Sequence, residues 1–157
     1  MSETPFIGVV SDTHGRYDPV LDDLFGGAAG IVHAGDVGGL DILERLGALA
    51  PLIAVAGNTD LPSWGDTLPW ETEAEVAGLR VIVCHIGASL MGKHDPVAEG
   101  FDLVVSGHSH KAAVEWRGGT LFLNPGSAGP PRFGQPRTAA LVDVVDGRPR
   151  PRIVTLT

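Results

Sequence analysis

Apolar runs in this chain repeatedly end in residues that bind transition metals: Asp12-Thr13-His14, Gly35-Asp36, Gly57-Asn58, His85 and Gly107-His108-Ser109-His110. Hydrolysis of phosphate esters calls for mixed oxygen and nitrogen ligands delivered to one edge of a sheet, because two cations must be held side by side. Seven residues answer that need: Asp12, His14, Asp36, Asn58, His85, His108 and His110. Alone, an Asp-x-His, a Gly-Asp or a Gly-Asn is ordinary turn chemistry. Their order, each closing an apolar run, makes them a candidate centre. Asp12 and His14 sit one residue apart on a tight loop that Gly15 relaxes, and the two oxygens of Asp36 can bridge a metal pair. Asn58 offers a neutral carbonyl oxygen, and His108 and His110 leave one loop with a spacing that lets each serve a different cation. Gly35, Gly57 and Gly107 precede ligands where the backbone must turn sharply and approach the site. His33, inside an apolar run, reads as a packed or supporting histidine rather than a ligand. His94, after Lys93, reads as a solvated side chain that could reach the site.

Positioning these residues requires a sheet whose strands end together. Short Val/Ile/Leu runs alternate with helix-compatible segments over the first third of the chain, the pattern of βαβ units. Strands are expected at Phe6 to Val10, Ile31 to His33 and Leu52 to Ala56, with helices at Asp18 to Phe25 and Leu40 to Leu49. Beyond Trp70 the pattern changes: Glu71 to Val76 alternates, Ala77-Gly78 turns, and Leu79 to Cys84 continues as the second arm of a hairpin. Further strands are expected at Leu103 to Ser106, Ala112 to Trp116, Thr120 to Leu123, Ala139 to Val144 and Arg152 to Leu156, separated by turn signals such as Arg117-Gly118-Gly119 and Asp146-Gly147. The expectation is an α/β chain with two mixed sheets in one domain spanning residues 1–157. In open α/β sheets ligands bind beyond the carboxyl ends of the strands, where the candidates lie.

The 157 residues and 43% hydrophobic content suffice for one sizeable core. A single cysteine, Cys84 in an apolar run, excludes a disulfide framework and points to a reducing compartment, the cytoplasm. No run approaches the roughly 20 apolar residues of a membrane helix. The formal charge of −8, with Lys93 and Lys111 the only lysines, disfavours long nucleic acid and anionic membrane as partners. The apolar loop residues Trp64, Leu68 and Trp70 form a contact patch for an oligomer if they are exposed, and otherwise belong to the core.

The full pattern resembles the calcineurin-like metallophosphoesterase superfamily, and within it the small bacterial and archaeal phosphodiesterases. The similarity runs over nearly the whole chain, including Asn124-Pro125-Gly126-Ser127 and Pro131-Arg132. It implies a four-layer αββα sandwich with a two-metal centre at one end. Carried over by position, Asp12, His14 and His110 hold one metal, Asn58, His85 and His108 the other, and Asp36 bridges them. Asp36, Asn58 and His85 are also the residues assigned to catalysis. Members of the family use manganese, the first expectation here, or iron, zinc, cobalt or nickel. Two departures stand out: many relatives have histidine where this chain has Thr59, followed by Asp60, and many small phosphodiesterases read His-Gly-His where this chain reads His85-Ile86-Gly87.

Two divalent cations outweigh the summed charge of Asp12, Asp36 and a bridging hydroxide by one unit, so a phosphate anion is drawn to a positive site inside an acidic protein. An aspartate at position 58 would cancel that excess. With the metals about 3.5–4 Å apart, their shared water ionises near neutral pH and attacks phosphorus in line. The expected activity is therefore a metal-dependent hydrolase of small phosphodiesters or nucleotides, favouring activated aryl diesters because protonation of the leaving group is poorly provided for. The alternatives are a phosphomonoesterase or nuclease of the same superfamily, and a non-catalytic protein-binding scaffold of the same fold, as in the retromer subunit that resembles these enzymes.

Overall fold

Runs that are apolar on both faces become inner strands, and those carrying charge at alternate positions become edges. Phe6-Ile-Gly-Val-Val10 and Leu79-Arg-Val-Ile-Val-Cys84 are of the first kind, Glu71-Thr-Glu-Ala-Glu-Val76 of the second. The computed structural model describes residues 4–60, 68–131 and 134–156. In chain order the elements are β1 (Phe6–Val10), α1 (Val20–Phe25), β2 (Gly30–His33), α2 (Leu40–Gly47), β3 (Leu52–Ala54), β4 (Glu71–Val76), β5 (Leu79–Cys84), α3 (Gly87–Met91), β6 (Leu103–Val105), β7 (Ala113–Arg117), β8 (Thr120–Asn124), β9 (Thr138–Val145) and β10 (Arg148–Thr155).

They form two mixed five-stranded sheets, ordered β10-β9-β1-β2-β3 and β4-β5-β6-β8-β7. In the first, β1, β2 and β3 are parallel and β9 and β10 antiparallel to their neighbours, with Val9 opposite both Val32 and Ala140. In the second, β5, β6 and β8 are parallel, flanked by antiparallel β4 and β7. The sheets pack face to face through Ile7, Val9, Val32, Val81, Val83, Leu103, Leu121, Leu123 and Val142, all buried. Helices α1 and α2 cover the outer face of the first sheet, where Leu21, Phe25, Ile42 and Leu46 are wholly buried, each contributing about 2 kcal/mol. The Ile42–Leu46 spacing of four puts both on one helical face. Short α3 covers part of the second sheet, through Leu90 against Ile82 and Val104, and completes the αββα layering.

Several boundaries differ from the sequence reading. Helix α1 begins at Val20, not Asp18, because Asp18 stays outside the helix and its carboxylate accepts the Val20 N–H at 3.0 Å. Helix α2 stops at Gly47 and β3 at Ala54, each two residues early. Strand β10 starts four residues before the expected Arg152 despite Pro149 and Pro151, which an edge strand tolerates because one row of its N–H groups has no partner. Helix α3 was not foreseen; five residues are too few to display a period. Leu68 and Trp70 are half-buried and pack against the core, Leu68 on the α1/α2 side and Trp70 with the α3 cluster, so neither supplies an exposed patch; Trp64 lies outside the described residues. Among the described residues no helix is long and apolar enough to cross a membrane.

Candidate metal centre

The loops that follow β1, β2, β3, β5 and β6 converge at one end of the sandwich. Two groups of side chains meet there. The ligand atoms of Asp12, His14 and His110 lie within 4.8 Å of one another, and so do those of Asp36, His85 and His108. Asn58 borders the same cavity, of about 350 Å³, together with His14, Asp36, Thr59, His108, Ser109 and His110. Asp36 Oδ2 joins the groups, 3.2 Å from His85 Nε2 and 3.7 Å from His14 Nε2. On the other side Asp12 Oδ1 is 3.4 Å from His110 Nε2 and 3.8 Å from both His14 Nε2 and His85 Nε2.

Backbone conformation creates this convergence. Asp12, His14, Asp36, His108 and His110 all adopt positive φ, between 47° and 74°. The left-handed region is uncommon for residues with a side chain and clusters at functional sites. The reversals throw successive side chains inward, and the flanking backbone must then run very close. A Cβ on Gly57 would collide with the amide and Oδ1 of Asp36, and one on Gly107 with the Ser11 hydroxyl.

Hydrogen bonds fix which atoms face the centre. Asp12 Oδ2 accepts from the Ser11 hydroxyl at 2.7 Å and the His108 N–H at 3.1 Å, leaving buried Oδ1 without a hydrogen-bond donor among the described residues. Asp36 Oδ1 accepts from the N–H and hydroxyl of Thr59, at 2.9 and 2.8 Å, so Oδ2 is the oxygen turned toward the histidines. His85 Nδ1 donates to the Ala34 carbonyl at 2.7 Å, which leaves Nε2 aimed at two carboxylate oxygens and, though buried, without a well-formed hydrogen bond among the described residues. Lone pairs gathered this way repel unless a cation lies between them, a metal ion or, without one, the proton that Asp36 and Asp12 favour on His85. Donors about 2.1 Å from such a metal ion would stand about 3.0–3.4 Å apart, close to the separations seen. The donor set, carboxylate and imidazole, suits a divalent transition metal.

The charges are strongly coupled. Burial opposes ionisation of Asp36, but the contacts from His85 and Thr59 outweigh it and hold the carboxyl well below the usual range. Asp12 is buried more deeply; desolvation raises its pKa, and the bonds from Ser11 and the neighbouring histidines only partly offset this. Burial disfavours charge on His85 too, yet Asp36 and Asp12 raise its pKa overall.

Other residues support the ligands, among them His33, as its place inside an apolar run suggested. His33 is wholly buried: its Nδ1 accepts the Gly35 N–H at 3.1 Å, its Nε2–H donates to Thr13 Oγ1 at 3.0 Å, and that hydroxyl donates to the Val37 carbonyl at 2.7 Å. Because a backbone amide only donates and a carbonyl only accepts, this chain requires neutral His33. It also ties the Asp12 loop to the Asp36 loop. Burial, aided by the charge of nearby His85, pushes the pKa of His33 down to about 3. The unfolded chain gains a proton near pH 6.5 that the folded chain refuses, so stability should fall as pH drops from about 6.5 toward 3, by about 1 kcal/mol per unit from this residue. His33→Gln should be less stable at pH 7, yet lose about 2 kcal/mol less than wild type between pH 7 and pH 5. Urea unfolding of the metal-free proteins measures this, and parallel pH slopes would refute it.

Asp60, which follows Thr59 in the sequence, is buried and accepts the N–H groups of Val37, Gly38 and Gly57 at 2.9–3.1 Å. All its facing partners are backbone donors, so it braces two loops instead of facing the cavity. His94 does not reach the cavity either: it lies between Glu71 (2.6 Å) and Glu99 (3.0 Å). From the late loop, the Ser127 hydroxyl donates to the Asp12 carbonyl at 3.0 Å, and Asn124 Nδ2 donates to the Gly107 carbonyl at 3.0 Å.

Comparison with known proteins agrees with this geometry. Residues 6–147 match the calcineurin-like phosphoesterase superfamily domain. A probable metallophosphoesterase of Methanocaldococcus jannaschii is 34% identical over 145 residues, covering 82% of this chain and 71% of its own. The phosphodiesterase YfcE of Escherichia coli is 32% identical over 110 residues, 65% of this chain and 58% of that protein. In structure, a predicted phosphoesterase of Streptococcus pneumoniae aligns with a TM-score of 0.77 at 24% identity, over 99% of this chain and 91% of its own, which speaks for the fold. A domain match over most of the chain, a relative above 30% identity and a cluster of carboxylates and imidazoles at the strand ends agree: this chain belongs to the calcineurin-like phosphoesterase superfamily.

Proposed function

We propose that the chain is a binuclear metal-dependent phosphodiesterase acting on small phosphodiesters or nucleotides. In this reading Asp12, His14 and His110 hold one divalent cation, Asn58, His85 and His108 hold the other, and Asp36 lies between, with manganese the first candidate among the first-row metals. The observation that carries the reading is the pair of His/Asp groups joined through Asp36 Oδ2. When bound, two such cations acidify a shared water and neutralise the phosphoryl oxygens.

The chain's own residues supply position and access. Ala34 keeps the His85 Nε2 lone pair turned inward, and Thr59 orients Asp36. Exposed Asn58, His108 and Ser109 border a cavity of about 350 Å³, sized for a small ester. Thr59 spends its hydroxyl proton on Asp36, Asp60 is enclosed by backbone amides, and His94 is held elsewhere, so none of these three stands ready to protonate a departing alkoxide. Substrates whose leaving groups depart as stable anions are favoured.

The test is metal analysis together with turnover. Purified protein with added manganese should hydrolyse bis-p-nitrophenyl phosphate, lose activity on chelation and regain it with manganese. A dialkyl phosphate should react at least about a hundredfold more slowly, since general-acid assistance is worth that much or more. Comparable rates on both diesters would refute the leaving-group argument. Folded protein with neither bound metal nor turnover would overturn the enzyme and leave a binding scaffold.

A further inference from the structure

Each sheet of a sandwich has two edges whose free N–H and C=O groups invite pairing with another chain, and edges are normally blunted. Three of the four edges here are. Strand β3 is only three residues long. Strand β4 presents Glu71, Glu73 and Glu75 along one face, so pairing with a second β4 would set carboxylates against each other. Strand β10 carries Pro149 and Pro151, whose missing N–H groups fall on the free side. Strand β7, Ala113-Val-Glu-Trp-Arg117, has no proline, is exposed throughout, and on its outer side has no neighbouring strand among the described residues.

The free edge is apolar on the face where an edge strand would be covered. Val114 and Trp116 lie opposite Leu123 and Leu121, which are buried between the sheets, so they extend the inter-sheet face beyond its cover. They remain 45% and 49% exposed. On the opposite face Glu115 and Arg117 form an ion pair at 3.1 Å. A two-residue turn, Gly118-Gly119, joins Arg117 to Thr120, so those two close the hairpin and alternation turns the N–H and C=O of Val114 and Trp116 outward. The same alternation after the Asp146-Gly147 turn sends Pro149 and Pro151 outward in β10, as their lack of a donor demands.

From this edge we propose that the chain forms a two-fold dimer by antiparallel pairing of β7 with β7 of a second copy, Trp116 opposite Trp116. This register uses the outward backbone groups of Trp116 reciprocally. It sets Glu115 against Arg117 of the second copy on either side of the tryptophan pair, so that a sequence bearing both charges complements itself. Two-fold closure consumes both free edges and cannot propagate into a fibre. Pairing with β4 or β10 of another molecule would instead meet glutamates or prolines.

Sedimentation velocity at tens of micromolar tests this, with circular dichroism as the folding control. Wild type should sediment at about twice the 16.3 kDa chain mass. Glu115→Arg and, independently, Arg117→Glu should each weaken association at least about tenfold by placing like charges across the two-fold axis. The double swap Glu115→Arg/Arg117→Glu should restore the dimer, and so should an equimolar mixture of the two single variants, whose own 115/117 pairs stay like-charged; loss of the pair within one chain would leave that mixture unrescued. A monomeric wild type overturns the proposal. So does a dimer indifferent to both single changes, or a double swap that stays monomeric while folded.

Discussion

Replacing Asp36 by asparagine should lower turnover of bis-p-nitrophenyl phosphate by about a thousandfold, equivalent to about 4 kcal/mol of transition-state stabilisation, and reduce bound metal from about two ions per chain to about one. The side chain keeps its volume, and its carbonyl can still accept from Thr59, so the fold has no reason to fail. What changes is the atom facing His85 and His14 at 3.2 and 3.7 Å: an anionic oxygen becomes an amide, which offers hydrogens where a cation should bind. His108→Ala is the companion variant. It removes one imidazole from the group containing Asp36 and His85 while leaving the Asp12 group intact, and it should lose metal from one site first. Metal analysis, titration with manganese and melting curves on both variants separate loss of ligand from loss of fold. Full activity in Asp36→Asn would remove the central support for a binuclear enzyme.

The largest stability effect is expected at a residue that touches no substrate. Asp60→Ala leaves three backbone N–H groups, those of Val37, Gly38 and Gly57, without their acceptor in a buried place. At 1–3 kcal/mol for each unsatisfied donor, tempered by water entering the vacated space, the loss should be about 4 kcal/mol, or about 10 °C in Tm. Asp60→Asn keeps one oxygen, enough for Val37 and Gly57, but turns an NH₂ toward the Gly38 amide, so its loss should be about half as large. Because these bonds tie the loop carrying Asp36 to the loop carrying Asn58, both variants should also bind metal more weakly. In Asp60→Asn, kcat at saturating manganese should stay within about tenfold of wild type, as fits a bracing role. A kcat loss of a hundredfold or more with unchanged Tm would instead make Asp60 a proton donor.

The strands flanking the centre were legible because each is a short apolar run closed by a turn residue, and a period of two or an unbroken run needs nothing beyond neighbouring residues to be seen. Their pairing followed less directly. That β9 inserts beside β1, completing a sheet begun over a hundred residues earlier, depends on faces of both strands being buried at once. Strand β10 was half missed because its prolines count against a strand until its place at the edge is known.

Residue types and order in the sequence set the chemistry available: two carboxylates, an asparagine and four histidines, each just after a strand, in a chain too acidic for broad anion binding. Those are local properties, so they survive without coordinates. Tertiary structure alone decided which oxygen of Asp12 and Asp36 faces inward, that His33 must be neutral, and that Asp60 braces while His94 stands apart between two glutamates. Each of those outcomes turns on a partner distant in the chain, such as Thr59 for Asp36 or Ala34 for His85. A donor brought to within 3 Å by folding leaves no trace in the spacing of the residues it serves.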